Sequence, residues 1–171
     1  MTHAVTIRPM LRNDATAVAE IESLVSAEPW SVALFEGEFD VAPGTRQWFV
    51  AQEAGMIIGF AGMMFVGLSS DGGEGHLMNV AVAPTHQRRG IARTLCRAQF
   101  ADAAERGFDA LTLEVRFSNH GAIELYRSFG FAPVGTRKNY YTNPDGSKED
   151  GLIMWLHDNL QRAADAERCD T

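Results

Sequence analysis

The sequence predicts a mixed α/β domain, and three features lead there. Trp48–Ala51 and Met56–Val66 are apolar strand-like runs on either side of Glu53-Ala54-Gly55, which reads as an antiparallel hairpin. "HLMNVAVA" (76–83), a helical pattern over 91–106 and "ALTLEV" (110–115) then follow in strand–helix–strand order. That order is a crossover, the connection that joins parallel strands. The chain also lacks internal repeats and interdomain linkers, and 171 residues suit one domain with a sizeable core. The expected layout is a single domain over 1–157 and a polar tail over 158–171.

Each element has a local reason. Val5-Thr6-Ile7 alternates like a short strand. Asn13-Asp14 can cap a helix on which Val18, Ile21, Leu24 and Val25 recur at helical spacing. Ser31 is a second cap, with Trp30 before it and Phe35 after it at the positions of a hydrophobic staple. That helix fades by Pro43-Gly44. Gly67–Gly75, "GLSSDGGEG", reads as a flexible connection with no helical alternative. Gly107 stops the crossover helix. Asn119 caps a short helix that ends at Phe129-Gly130. Phe131–Val134 and Leu152–Leu156 read as closing strands around a polar excursion, and the alanine-rich tail from Asp158 as a frayed helix.

Composition narrows the function. Hydrophobic residues make up 46% and charged residues 22%, ordinary values for a soluble globular protein. A net charge of -7 argues against a dedicated nucleic-acid binder and favours encounter with a cationic partner such as a basic peptide. Cys96 and Cys169 lie far apart without a CxxC neighbour, which fits a reducing compartment. The five histidines show no ligand spacing, so no metal site is expected. No signal peptide is apparent, and the longest nearly apolar stretch, Met56–Leu68, falls short of the roughly 20 residues that span a bilayer. A soluble cytoplasmic protein is expected.

Gln87-Arg88-Arg89-Gly90 stands between an apolar strand and a helix. The first N–H groups of a helix have no partner within it, and the peptide dipoles make that end positive. A phosphate there can accept those N–H bonds, Gly90 lets the main chain approach closely, and Arg88, Arg89 and Arg93 add charged donors. No GxxxxGK[ST] and no early GxGxxG is present, so a P-loop and a dinucleotide fingerprint are both missing. The bland alternative, two arginines facing solvent on a turn, stays open on spacing alone. In its place after "NVAVAP", the run "QRRGIA" resembles the Q/R-x-x-G-x-G/A signature of the GNAT acyltransferases. In that family the segment wraps the pyrophosphate of acetyl-CoA, which implies cofactor contacts from Arg88, Arg89, Gly90, Ile91, Ala92 and Arg93. The resemblance also implies that main-chain atoms of Val80, Ala81 and Val82 bind the pantetheine arm and polarise the thioester.

The second informative stretch is "LTLEVRFSNHGAIELYRSFGF". Glu114 interrupts an apolar strand and by alternation shares a face with Thr112 and Arg116, opposite Leu113 and Val115. A carboxylate placed in a cleft could take a proton from an amine; on sequence alone the more ordinary reading is a surface partner of Arg116 or Arg127. Asn119 and Tyr126 lie seven apart, two helical turns on nearly one face. Asn119 could only cap and Tyr126 only pack, yet a phenol there could protonate a departing thiolate.

This spacing, with "EPWS", "RKNYY" and "EDGLIMW", resembles the RimI-type branch of the family, the ribosomal-protein-alanine N-acetyltransferases. The resemblance covers most of residues 5–156. It implies the GNAT fold: a mixed, mostly antiparallel sheet with a central parallel strand pair, flanked by helices. It implies Glu114 as proton acceptor, Tyr126 as proton donor and Asn119 as a cofactor contact. Arg137, Asn139, Tyr140 and Tyr141 fall where the family shapes its peptide groove. The implied reaction is direct acetyl transfer from acetyl-CoA to a protein N-terminal amine, with the alanine terminus of a small-subunit ribosomal protein as acceptor and no direct contact with nucleic acid or membrane. A lysine side chain or small-molecule amine is the nearest alternative acceptor. A non-catalytic acyl-CoA-binding regulator is the alternative of another class. The sequence departs from the pattern in the Gly67–Gly75 loop, in His120-Gly121 and in the tail.

Overall fold

The computed structural model describes residues 4–67 and 69–157. Residues 158–171, with the expected tail helix and Cys169, lie outside the described residues. Among the described residues seven strands form: β1 (Thr6–Pro9), β2 (Arg46–Glu53), β3 (Met56–Val66), β4 (Glu74–Val82), β5 (Ala110–Arg116), β6 (Ala132–Thr142) and β7 (Lys148–His157). The helices are α1 (Ala15–Val25), α2 (Val32–Gly37), α3 (Ile91–Glu105) and α4 (His120–Ser128). The strands form one sheet in the order β1-β2-β3-β4-β5-β7-β6. Pairing is antiparallel for β1/β2, β2/β3, β5/β7 and β6/β7, and parallel for β4/β5. Among the described residues no helix is long and apolar enough to cross a membrane.

The contacts divide into two compact units. The first takes the chain up to Met64 and again Met78–Gln99; the second takes Phe65–Leu77 and the chain from Phe100 onward.

In the first unit, α1 buries Ala15, Val18, Ala19 and Ile21, while Leu24 and Val25 of its last turn stay exposed, so the apolar stripe is shorter than the spacing predicts. Asp14 does not cap the helix with its side chain. Its carboxylate takes the Leu11 N–H at 2.8 Å and both guanidinium nitrogens of Arg8 at 2.7 and 3.0 Å, and a 3-10 turn over Arg12–Asp14 leads into α1. The bidentate arginine contact is stronger than a neutral cap bond and takes the side chain away from the helix. Ser31 does cap α2, accepting the Leu34 N–H at 3.3 Å, and the Trp30 and Phe35 rings meet at 5.4 Å as the staple requires. Phe35, Trp48 and Phe60 extend that contact into an aromatic cluster. The β2–β3 hairpin turns through Ala54 (φ 50) and Gly55 (φ 84). Gln99 of α3 fastens the helix to this hairpin, its Nε2 donating to the carbonyls of Gln47 at 3.1 Å and Ala61 at 2.7 Å.

In the second unit, β4 pairs with β5 through Gly75/Leu111, His76/Thr112 and Leu77/Leu113. The Gly67–Gly75 segment is less loose than the glycines imply. Ser69–Asp71 makes a 3-10 turn, and β4 starts at Glu74. The polar excursion is also structured. β6 and β7 continue as a ladder to Thr142/Lys148, closed by a turn in which Asn143 N–H donates to Ser147 O. Residues Ala132–Tyr140 are exposed throughout, so β6 lacks the alternation that marks a half-buried strand. The ladder carries a bulge where Arg137/Gly151 passes to Tyr141/Glu149. Asp150 clasps it, accepting the Asn139 N–H at 2.9 Å and the Lys138 ammonium at 2.6 Å, with Asn139 at φ 54.

Candidate active site

The first unit carries the arginine–glycine turn. β4 runs through Val80, Ala81 and Val82 into a 3-10 turn at Pro84–His86 and then into α3. Gln87 closes the connection by donating its Nε2 to the Val82 carbonyl at 3.0 Å. Arg88 (φ 61) and Gly90 (φ 79) are both left-handed. For Arg88 that conformation costs on the order of 1–3 kcal/mol, the kind of local strain that collects at ligand-binding turns. A Cβ built at Gly90 would meet nothing within 4 Å, so the main chain faces open space where a diphosphate would have to come close. The Gly90 carbonyl takes the Thr94 N–H at 3.1 Å, so α3 opens at this turn with the positive end that a helix start presents. These residues fit an anion. Arg89 also reaches back to β2: its guanidinium grips Glu53 at 2.6 and 3.1 Å, and His86 Nε2 lies 3.5 Å from the same carboxylate.

The second unit carries the carboxylate and the phenol. Glu114 shares its face with Thr112 and Arg116, while Leu113 and Val115 are buried on the other side, as the alternation predicts. Its side chain is 15% exposed, and its partners are neither Arg116 nor Arg127. Arg137 Nη1 lies 2.9 Å from Glu114 Oε1, and His76 Nε2 lies 3.5 Å from Oε2. Arg116 turns to β6 and β7 instead, donating to Asn143 Oδ1, Glu149 Oε2 and the Thr142 carbonyl, with its guanidinium 4.5 Å from the Tyr141 ring centroid. Arg137 lies 4.8 Å from the Tyr140 centroid, and the two tyrosines meet edge to face at 4.9 Å. Burial pushes the Tyr141 hydroxyl up to about 12, helped by Tyr140 and Glu114. Glu114, Arg137, Tyr140 and Tyr141 are thus brought together; Asn139 stands on the bulge beside them.

On α4, Asn119 Oδ1 caps the helix by accepting the Ala122 N–H at 3.2 Å, and Glu149 holds the loop before it by accepting the Ser118 N–H at 2.7 Å. The Ser118 bonds and then Arg116 hold the Glu149 carboxyl below its usual range. Tyr126 is 8% exposed and packs 5.9 Å from the Phe131 ring. Sequence reading missed Glu53, held by Arg89 and His86, His76, which meets Thr112 and Glu114 of β5, and the buried Glu22, which meets Asn79 of β4 as well as nearby Ser26 and Trp30.

The chain belongs to the acetyltransferase (GNAT) family, whose model matches residues 11–131. It is similar to the [ribosomal protein bS18]-alanine N-acetyltransferase of Escherichia coli K12, at 38% identity over 88% of this chain and 96% of that one. It is also similar to the N-alpha-acetyltransferase RimI of Mycobacterium tuberculosis, at 37% identity over 82% of this chain and 86% of that one. Among solved structures, the Escherichia coli ribosomal-protein-S18-alanine N-acetyltransferase superposes with a TM-score of 0.79 at 35% identity, covering 91% and 94% of the two chains.

Proposed function

We propose that this chain transfers acetyl from acetyl-CoA to the N-terminal α-amino group of a protein in the cytoplasm, and that the acceptor is the alanine terminus of ribosomal protein bS18. The observation that carries this reading is Glu114, a little-exposed strand carboxylate set against Arg137 and the tyrosine pair. The names of the similar enzymes point to the same acceptor.

The amine must lose a proton before it attacks. An α-amino group titrates near 7.7–8.0 and a lysine near 10.4, so the terminal amine needs about 3.4 kcal/mol less to deprotonate at neutral pH. Glu114 takes that proton, directly or through a water. Main-chain N–H groups of Val80, Ala81 and Val82 stabilise the developing oxyanion. Tyr126 gives its proton to the departing thiolate. The first turn of α3 with Gly90 holds the diphosphate, Arg88 and Arg93 add charge, and Asn119 contacts the cosubstrate. Arg89 acts chiefly by holding the turn against Glu53. Arg137, Asn139, Tyr140 and Tyr141 line the acceptor side. Attack is direct. Cys96 is sealed in α3, where burial pushes its thiol up to about 12, which disqualifies it as a nucleophile.

Incubation with acetyl-CoA and peptides beginning in Ala, Ser, Met or Gly, with mass mapping of the acetylated nitrogen, tests the reading. The expected product carries acetyl on the α-nitrogen of the bS18 peptide. Acetylation confined to lysine would replace the acceptor and keep the chemistry. Tyr126→Phe is expected to lower kcat by about 10²-fold or more while acetyl-CoA affinity holds; the reverse pattern would remove Tyr126 from the chemistry.

A further inference from the structure

Glu114 does not end the path of the proton it takes. His76 on β4 stands in register with Thr112 on β5, two residues before Glu114 on the same face. Its Nε2 lies 3.5 Å from Glu114 Oε2, and its Nδ1 lies 2.8 Å from Thr112 Oγ1. The Thr112 hydroxyl donates to Glu74 Oε1 at 3.4 Å. All four side chains belong to the second unit.

One set of bond directions makes these four groups a path. A threonine has one hydroxyl proton, and turned toward Glu74 it leaves Oγ1 to accept from His76 Nδ1. In that arrangement the ring hydrogen is on Nδ1 and Nε2 carries a lone pair. That lone pair faces an oxygen of Glu114. While Glu114 is a carboxylate, neither atom has a hydrogen to share, and the separation of 3.5 Å is longer than a hydrogen bond. The other oxygen, Oε1, is taken by Arg137. A proton arriving at Glu114 is thus held on Oε2, the oxygen that faces the acceptor nitrogen.

We infer that His76 is a positioning residue for Glu114 that carries the amine's proton onward, through Thr112, to Glu74. This rests on the reading of Glu114 as the base. In each turnover the amine N–H bond breaks and a Glu114 O–H bond forms. Glu114 then gives that proton to His76 Nε2, the Nδ1 proton passes to Thr112 Oγ1, and the threonine proton passes to Glu74, which releases it to water. The His76 ring, 22% exposed, then resets by giving its Nε2 proton to water and taking one from water at Nδ1, so that one net proton leaves per turnover and Glu114 is again a carboxylate. The other charged or titratable groups around the path are Arg116 from β5, Arg137, Tyr140 and Tyr141 from β6, and Glu149 from β7. Tyr141, raised to about 12, keeps its proton throughout.

The test compares His76→Gln, Thr112→Val and Glu114→Gln with the unaltered protein, by single-turnover acetylation of a bS18 peptide across pH and buffer concentration. Glutamine at 76 can bond to both neighbours but cannot pass a proton from one nitrogen to another. Valine at 112 keeps the buried shape and removes the hydroxyl. Both variants are expected to slow transfer at least about tenfold, less than the ~10²–10⁴ that loss of a direct acid or base costs. The rate should rise again with added imidazole, with the acetyl-CoA KM unchanged. A slowed His76→Gln that ignores buffer concentration would reduce His76 to a packing role, and full activity at every pH would remove it. If His76→Gln proves unstable, Thr112→Val decides alone by the same criterion. Glu114→Gln separates the two ideas: full activity there sinks the base assignment, whereas its loss beside buffer-insensitive His76 and Thr112 variants sinks the onward path only.

Discussion

Glu22 lies on α1 with 3% of its surface exposed, hydrogen-bonded by Asn79, Ser26 and the Trp30 N–H. Burial outweighs those bonds and raises its carboxyl above the usual range. An unfolded glutamate titrates near about 4.3, so between that pH and the higher folded value the native state holds more protons than the unfolded one. Stability from this group is therefore complete below about 4.3 and is lost as pH rises through the folded value. Glu22→Gln should shift the unfolding midpoint relative to the unaltered protein, with the difference moving in the variant's favour as pH rises from 4 to 7. A difference constant with pH would mean the carboxyl titrates alike in both states. Sequence reading reached Glu114, because a charge inside an apolar strand stands out. It could not reach Glu22, whose helix position looks like any exposed glutamate until Asn79 is folded against it.

Elements differ in how much they announce themselves. The β2–β3 hairpin, the Ser31 cap, α3 ending at Gly107 (φ 82) and α4 with its Asn119 cap all follow from local chemistry. The β6 strand does not, since its exposed run from Ala132 to Tyr140 shows no period. Close packing is equally silent. Gly62 pairs with Trp48 across β2 and β3, and a Cβ there would stand 2.3 Å from the indole ring. The absent side chain leaves room for the Trp48 ring, which meets Phe35 edge to face and Phe60 at a tilt. Gly62→Ala should cost about 1–3 kcal/mol, as overpacking of a core does, read as a lower urea midpoint with unchanged slope. An unchanged midpoint would mean the indole swings aside freely.

At the scale of the molecule, charge and family membership work together. A net charge of -7 draws cationic peptides toward the protein. For bS18-like peptides carrying arginine or lysine behind the first residue, kcat/KM should fall as ionic strength rises and the Debye length shrinks from about 30 to about 8 Å. Matched neutral peptides should respond little; equal sensitivity would assign the effect to cosubstrate binding. The fold and the acetyltransferase chemistry were legible because they rest on contiguous motifs, QRRGIA and LEVR…LY. The surroundings of Glu114 were less so, because Arg137 and Tyr141 come from β6, a strand whose exposed run shows no period.

The Asp150 clasp has a consequence beyond local geometry. Ladder pairs resume on both sides of the bulge, at Arg137/Gly151 and Tyr141/Glu149. The carboxylate between them draws an ammonium from position 138 and holds position 139 left-handed, a backbone that asparagine and glycine tolerate best. Lys138, Asn139 and Asp150 therefore form one unit, and a change at any of the three calls for a matching change in the others.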